Sequence, residues 1–236
     1  MMGGQRPIVL GIGAACVDMI ATVSKYPNPD DKIRSNSYCS SGGGNCANTL
    51  VALARLGLDT VMATKLGDDA RGLVVTKELE ENGVGTRLCF KKKGLDTPFT
   101  YIIVDESTKT RTCIYTPIQE DLLPSDVRAD WLDDVTLVHS DSRHTRAAIE
   151  VANLAISRNI PIVIDAEKFR PHLAELLPLA DVICTNSRFP ALFAPSKNSL
   201  EEQMFALLQV GRAHTVITTL GSHGSILLRP KSGTQR

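Results

Sequence analysis

Short apolar segments alternate with helical patterns along most of the chain, and this alternation constrains the fold more than any other feature. Apolar residues in the helical segments recur at intervals of three and four, as on one face of a helix. Strands that alternate with helices form a parallel sheet covered on both faces. The sequence therefore predicts a doubly wound α/β fold with a mainly parallel sheet. The predicted strands are 7–13, 60–67, 135–139, 160–166, 180–186, 214–220 and 225–230, and the predicted helices are 45–56, 70–82, 146–158 and 200–209.

Two regions do not fit this alternation, at about 17–39 and 99–115. The first holds two mixed segments, 17–23 and 33–39, around the turn-rich "KYPNPDDK". The second reads as two strands around a polar turn at 106–109. We expect these strands to form a small separate sheet, a lid over one end of the main sheet. No linker interrupts the chain, so residues 1–236 are predicted to form a single domain with this lid.

Composition excludes several classes of function. Lys and Arg together number 26, as do Asp and Glu, so no net positive charge attracts nucleic acid. The basic run Lys91–Lys93 precedes Gly94 and is predicted to be a solvated turn.

The six cysteines show no zinc-type spacing, and several lie in apolar runs, which favours a reducing compartment. No apolar run is long enough to span a bilayer, and "RPIVLGIGAACV" reads as a buried strand rather than a signal peptide. We expect a cytoplasmic protein with no membrane or nucleic-acid partner.

The stretch "SGGGNCANTLVALARLG" places glycines and asparagines at the start of a helix. Glycines there let the backbone approach a ligand, toward which the free N–H groups of the first turn would point. A Walker phosphate loop is excluded because no Lys-Ser/Thr pair follows. The alternative of a dinucleotide fingerprint at "GIGAAC" has only its first two glycines, since Cys16 stands at the third position. The hypothesis of a nucleotide-dependent oxidoreductase therefore has weak support.

Asn45 and Asn48 point to a ligand that carries hydroxyl groups. Residues three apart share one face of a helix, and each carboxamide offers both a donor and an acceptor. Asp18, which ends the first apolar region, adds a charged acceptor for hydroxyl protons. The competing interpretation is that Asn45 is only a helix N-cap. Together the glycines, the two amides and the carboxylate predict a polyol site.

These motifs resemble those of the ribokinase-like (pfkB) carbohydrate kinases. "GGNCANTLVALARLG" and "KLGDDARG" are similar to the family's N-terminal signature, and "ESTKTRTCIYT" and "IDAEKFRPHL" resemble its ketohexokinase branch. The resemblance implies ATP-dependent phosphorylation of a sugar, with a ketose such as fructose favoured, and Mg²⁺ as the accompanying ion. It also implies a homodimer formed through the lid strands. The implied sugar-binding residues are Asp18, Gly43, Gly44, Asn45 and Asn48, and the implied nucleotide-binding residues are Arg111, Gly221, Ser222, His223 and Gly224.

Two departures from the family pattern bear on activity. Family members carry an Asn-x-x-Glu element that helps to organise magnesium, but here Phe189 follows Asn186 at the glutamate position. The family's Asp-Thr-x-Gly-Ala-Gly-Asp segment, which supplies the general base and an anion hole, does not occur in the 236 residues. Asp141 and Asp165 are expected to be structural or to lie at the edge of the substrate, and Arg143 could contact a sugar or a phosphate. We therefore expect a C-terminally truncated kinase without a catalytic residue or metal site, inactive in this form. The alternative is a non-catalytic sugar-binding or regulatory chain.

Overall fold

Two β-sheets and six α-helices are the main elements of the computed structural model, which describes residues 7–230. The strands are β1 (Ile8–Ile12), β2 (Cys16–Val23), β3 (Ser37–Gly43), β4 (Asp59–Gly67), β5 (Val84–Lys92), β6 (Phe99–Asp105), β7 (Thr110–Thr116), β8 (Val135–Ser140), β9 (Ile162–Ala166), β10 (Val182–Asn186), β11 (Thr215–Thr219) and β12 (Ser225–Leu228). The α-helices are α1 (Asn45–Arg55), α2 (Ala70–Glu81), α3 (Thr145–Ser157), α4 (Leu173–Leu176), α5 (Phe189–Phe193) and α6 (Leu200–Leu208). Most of these elements match the predicted ones to within a few residues.

The main sheet has eight strands in the order β12-β11-β10-β9-β8-β1-β4-β5. All neighbours in it are parallel except β11 and β12, which form an antiparallel pair at one edge. The first strand, β1, lies in the interior of the sheet, between β4 and β8. The carboxyl ends of the parallel strands therefore meet along one edge of this sheet.

The two faces of the main sheet are buried in two separate apolar clusters. Val9 and Met62 pack with α1 and α2 on one face, whereas Leu10 and Ala63 belong to the cluster that contains α3 and α6. Adjacent residues of β1 and β4 thus point to opposite sides, as the period of two in a strand requires. Burial on both faces explains why these strands are almost continuously apolar. This arrangement confirms the predicted doubly wound α/β fold.

The second sheet has four strands in the order β3-β2-β6-β7, and we call it the lid sheet. It forms from the two regions that did not fit the strand-helix alternation, as predicted. The prediction for β3 was wrong in position, since the strand runs over Ser37–Gly43 and not over 33–39. Gly42 and Gly43 pair with β2 and are part of the strand rather than a loop before the helix.

The segment that leaves the lid sheet, residues 117–123, is fastened to the main sheet by charged groups. Glu120 forms ion pairs with Lys65 of β4 and Lys92 of β5. Lys65 Nζ also donates a hydrogen bond to the Asp121 carbonyl oxygen, 3.2 Å away. The side chain of Lys65 is only 8 % exposed, so its charge is partnered inside the protein.

The prediction of a solvated turn at Lys91–Lys93 was wrong for its first two residues. Lys91 and Lys92 lie in β5, which the sequence analysis did not predict. Lys91 Nζ donates a hydrogen bond to Thr76 Oγ1 at 3.2 Å, and Lys92 pairs with Glu120. β5 is an edge strand, and charged side chains on edge strands oppose pairing with other chains. Such a strand lacks the apolar pattern by which the other strands were predicted.

Within residues 7–230, no helix combines the length and the apolar character that a bilayer span requires.

Candidate active site

A cleft of about 480 Å³ lies between the lid sheet and the carboxyl edge of the main sheet. We call it the lid cleft. Ligands of doubly wound folds bind at this edge, beyond the carboxyl ends of the strands. The residues that line the lid cleft are Ala14, Cys16, Asp18, Ile20, Gly44, Asn45, Asn48, Thr100, Ile102, Val104, Arg111, Cys113, Tyr115, Asp141, Arg143, Glu167 and Lys168.

Most of the predicted sugar-binding residues meet in this cleft. Asp18 projects from β2, and Gly44, Asn45 and Asn48 come from the start of α1. Gly43 lies directly behind Asp18, because a side chain at Gly43 would come within 2.6 Å of Asp18 Oδ1. The absence of a side chain at Gly43 therefore leaves room for the carboxylate to occupy its place in the cleft wall.

The buried carboxylate of Asp141 joins three segments of the site. Its Oδ2 accepts hydrogen bonds from the backbone N–H groups of Ala14, at 2.9 Å, and Cys46, at 3.0 Å. Its Oδ1 accepts a third, from Arg143 N at 3.0 Å. The side chain thereby connects the loop after β1, the first turn of α1 and the loop after β8. This supports the expectation that Asp141 has a structural role.

Two backbone N–H groups of the first turn of α1 are not free to meet a ligand, contrary to what the glycine-rich sequence suggested. Cys46 N is occupied by Asp141, and Ala47 N donates to the Ala14 carbonyl oxygen at 3.2 Å. The N-cap residue is Gly44, which adopts a left-handed φ of 101°. Asn45 is thus the first residue of the helix, and the interpretation of Asn45 as an N-cap was wrong. The ligand-facing groups at this point are the two carboxamides.

The carboxamide of Asn45 lies beside a second carboxyl group, that of Asp165 in β9. Burial, reinforced by the nearby charges of Asp141 and Glu167, raises the pKa of Asp165 to about 6. A hydrogen bond from the Asn45 side chain opposes this rise. Asp165 thus retains a proton well above the pH at which an ordinary aspartate loses it.

The raised pKa of Asp165 predicts a pH-dependent stability. The folded protein binds this proton more tightly than the unfolded chain, so the contribution of Asp165 is most favourable at low pH and is lost as the pH rises from about 4 to 6. We expect Asp165→Asn to be more stable relative to the wild type at pH 7.5 than at pH 4. Thermal melts of both proteins across this range test it, with Asp133→Asn on the exposed surface as the control. A difference between wild type and Asp165→Asn that does not vary with pH would contradict the assignment.

Positively charged side chains line both walls of the lid cleft. Arg111 projects from β7 of the lid sheet, and Lys168 follows β9. Arg143 lies with its guanidinium carbon 4.5 Å from the centre of the Tyr115 ring, a stacking arrangement typical of arginine on an aromatic face. Glu167 supplies a carboxylate nearby. A ligand with both hydroxyl groups and a phosphate would find partners for each.

The residues predicted to contact the nucleotide are divided between two places. Arg111 lines the lid cleft, whereas Gly221–Gly224 form an exposed turn after β11 and do not line it. β11 is two strands from β9 in the main sheet, which corresponds to roughly 10 Å at the usual strand spacing. Both places lie along the carboxyl edge, so an extended ligand could reach from one to the other.

The structure does not provide a metal site at Asn186. Its Oδ1 accepts hydrogen bonds from the backbone N–H groups of Arg188 and Phe189, both at 3.0 Å, and its Nδ2 donates to the Glu167 carbonyl oxygen. Phe189 is fully buried and stacks against Phe169. Across residues 7–230, no three His, Cys, Asp or Glu side chains are grouped so as to hold a metal ion. These residues therefore do not fit a protein-bound Mg²⁺, and any such ion would depend on the phosphates of a nucleotide.

Sequence reasoning did not identify Glu167, Lys168 and Tyr115 as residues of the site. Glu167 and Lys168 directly follow β9 at the carboxyl edge of the sheet, and this position was the available signal. Tyr115 could be placed only once the pairing of the lid strands was known.

Comparison with known proteins identifies the family of the chain. The profile of the pfkB family carbohydrate kinases matches residues 8–236. The chain is 27 % identical over 233 residues to the bifunctional ribokinase/ribose-5-phosphate isomerase A of Fructilactobacillus sanfranciscensis, covering 94 % of the chain and 42 % of that protein. It is 25 % identical over 189 residues to mouse (Mus musculus) ketohexokinase, covering 74 % of the chain and 62 % of that protein. The chain thus spans less than two thirds of the length of these relatives.

A solved structure shows the same fold. The structure of Arabidopsis thaliana ribokinase complexed with ribose and ATP superposes with a TM-score of 0.79 at 20 % identity, covering 98 % of the chain and 76 % of the ribokinase. From the family profile, which matches nearly the whole sequence, we conclude that the chain belongs to the pfkB family of carbohydrate kinases.

Proposed function

We propose that the lid cleft binds a sugar and that the site is of the type that transfers the γ-phosphate of ATP to a sugar hydroxyl. The observation that supports this most directly is the convergence of Asp18, Asn45 and Asn48 on one cleft. A carboxylate and two carboxamides supply the mixed acceptors and donors that a row of hydroxyl groups requires. The volume of about 480 Å³ lies within the range of small-molecule sites.

We propose a ketose such as fructose as the first sugar to test, because several segments resemble ketohexokinases. Ribose is the second, since the relatives include a protein with ribokinase activity in its name. For the nucleotide, Arg111 and the Gly221–Gly224 turn would contact the phosphates and the neighbouring part of ATP. ATP would supply the phosphoryl group, and Mg²⁺ held by its phosphates would neutralise the charge that develops during transfer.

A second candidate is sugar binding without turnover, which the role of Asp141 favours. Phosphoryl transfer needs a carboxylate that can accept the hydroxyl proton. Asp141 is engaged by three backbone N–H groups, so it is poorly suited to serve as that base. We accordingly propose that residues 1–236 alone bind the sugar but phosphorylate it slowly or not at all.

One experiment separates these candidates. ADP release from MgATP would be measured with fructose, ribose, other sugars and nucleosides, beside the shift in melting temperature that each sugar causes. Sugar-dependent ADP release would establish the kinase and refute the proposal of binding without turnover. Stabilisation by a sugar without ADP release would establish the binding chain. The absence of both would refute sugar recognition by this cleft.

We expect Asp18→Ala to weaken sugar binding about 30-fold. A hydrogen bond to a charged group contributes about 2 kcal/mol, and the carboxylate of Asp18 is the charged acceptor among the predicted sugar contacts. Titration calorimetry with the sugar that stabilises the wild type would measure the loss. Asp133→Ala is the matched control, because Asp133 pairs with Arg158 on the exposed surface. Unchanged affinity in a folded Asp18→Ala protein would show that the sugar binds elsewhere.

The outer face of the lid sheet is the basis for a further part of this proposal. Tyr38, Tyr101 and Ile114 are 64 %, 49 % and 53 % exposed there, although each is a large apolar or aromatic side chain. We propose that a second copy of the chain covers them and forms a homodimer. Sedimentation velocity would test this, and a monomer at micromolar concentration would refute it.

We also propose a reducing compartment such as the cytoplasm, since all six cysteines are free.

A further inference from the structure

A second cavity, of about 460 Å³, shares Arg143 with the lid cleft. Three segments enclose it: residues 117–123 after β7, residues 142–146 at the start of α3, and residues 170–172 after β9. We call it the arginine pocket, because Arg143, Arg146 and Arg170 all line it. Its volume is within the range of small-molecule sites.

The three guanidinium groups are incompletely neutralised. Within residues 7–230, neither Arg143 nor Arg146 forms an ion pair, and Arg170 makes only a long contact of 3.8 Å with Glu167. Burial and the neighbouring charge of Arg143 lower the pKa of Arg170. A pocket with this arrangement attracts an anion.

One carboxylate in the lining offsets only part of this positive charge. Asp121, the carboxylate in the lining, lies 2.9 Å from His144 Nδ1. His172 lies 2.8 Å from Glu175, which occupies its Nδ1. Three guanidinium groups and one carboxylate thus line the pocket, and its lining keeps a net positive charge.

Two buried polar atoms in the lining lack hydrogen-bond partners. Ser142 is 0 % exposed, and its Oγ has no partner, while the Nε of Arg170 is also buried and unpartnered. Buried polar groups in folded proteins almost always have partners, because leaving one unsatisfied costs about 1–3 kcal/mol. Both atoms belong to residues that line the arginine pocket, so polar groups beside this cavity remain unsatisfied.

The position of Arg146 adds an independent argument. It is the second residue of α3, and the first turn of that helix contains no acidic residue. The N-terminal end of a helix carries partial positive charge, so an unpaired cation there is unfavourable. An anion in the arginine pocket would be attracted both by the Arg146 guanidinium and by the N-terminal end of α3. It would thereby offset the repulsion between these two positive groups.

We propose that the arginine pocket binds a phosphate dianion, either inorganic phosphate or the phosphate group of a phosphorylated sugar, separately from the ligand of the lid cleft. Guanidinium groups bind phosphate oxygens through paired, charge-assisted hydrogen bonds. Arg143 borders both cavities, so occupation of one would affect the other. This inference does not depend on whether the chain phosphorylates a sugar.

Calorimetric titration of the 236-residue chain with inorganic phosphate, fructose 1-phosphate and ribose 5-phosphate tests the proposal without ATP. We expect Arg146→Gln to weaken binding of the preferred phosphate at least tenfold and Arg146→Lys to weaken it less. Arg146 is exposed and does not line the lid cleft, so the substitution leaves the sugar-binding residues in place. Arg158→Gln is the matched control: it follows the other end of α3 and pairs with Asp133. The phosphate that binds more tightly identifies the source of the ligand.

Several results would overturn this inference. One is the absence of binding by any of the three phosphates at millimolar concentration. Another is binding that Arg146→Gln leaves unchanged but Arg111→Gln removes, since this would place the phosphate in the lid cleft. A third is an equal loss of affinity in Arg146→Gln and Arg158→Gln, which would indicate a general effect of surface charge. Loss in Arg146→Gln alone, with partial retention in Arg146→Lys, supports the arginine pocket.

Discussion

Replacement of Asp141 by alanine should lower the free energy of unfolding by about 4 kcal/mol. The carboxylate is 2 % exposed and accepts hydrogen bonds from Ala14, Cys46 and Arg143. Alanine would leave these three backbone N–H groups without their acceptor. Since two of the donors belong to the loop after β1 and to the start of α1, the lid cleft should lose its shape as well.

Urea unfolding followed by the fluorescence of the single tryptophan, Trp131, would measure this loss. Trp131 is 2 % exposed, so its emission should change when the core opens. Asp141→Asn keeps one side-chain oxygen as a hydrogen-bond acceptor. Its free energy of unfolding should therefore lie between those of Asp141→Ala and the wild type. Asp130→Ala removes a carboxylate from an exposed pair with Arg128 and should cost less than about 1 kcal/mol. A loss below 1 kcal/mol for Asp141→Ala would show that other groups hold these segments together.

Gly44→Ala should destabilise the protein by about 3 kcal/mol, through strain and overlap together. Gly44 has a φ of 101°, which residues with a side chain adopt only at a cost. A methyl group there would also lie 2.7 Å from the Ala14 carbonyl carbon and overlap its oxygen. The resulting displacement would move Asn45, and we expect sugar binding to fall with stability.

Gly57→Ala, just beyond the other end of α1, separates the cost of backbone strain from the cost of steric overlap. Its φ is 93°, close to that of Gly44, but nothing lies within 4 Å of the position that a side chain would take. This variant should therefore show only the conformational cost, about 1 kcal/mol. Thermal and urea unfolding of both variants would give the comparison. Equal losses at the two positions would mean that the contact with Ala14 contributes nothing.

The sequence allowed the fold to be predicted where local pattern and burial agree. The core strands β1 and β4 are apolar on both faces, and α1 has a clear helical period, so each could be recognised without the structure. β5 could not, because an edge strand needs few apolar residues and this one ends in lysines. The shifted start of β3 has a similar cause, since its side chains up to Ser40 are exposed.

The candidate site could be predicted in part, for a related reason. Asn45 and Asn48 are neighbours in sequence, and helical spacing alone predicts that they share a face. Asp141 is different: it bonds Ala14 across 127 positions and Cys46 across 95. No local pattern shows which backbone groups a distant carboxylate will meet. The arginine pocket likewise combines three segments that come together only in the folded chain.

The interior position of β1 has a consequence for biosynthesis. One neighbour, β4, begins at Asp59, but the other, β8, begins only at Val135. While the ribosome adds the intervening residues, the edge of β1 that pairs with β8 has no partner. Pairings between distant segments are slow to form because a long loop must close first. We therefore expect the main sheet to close around β1 only after β8 has emerged.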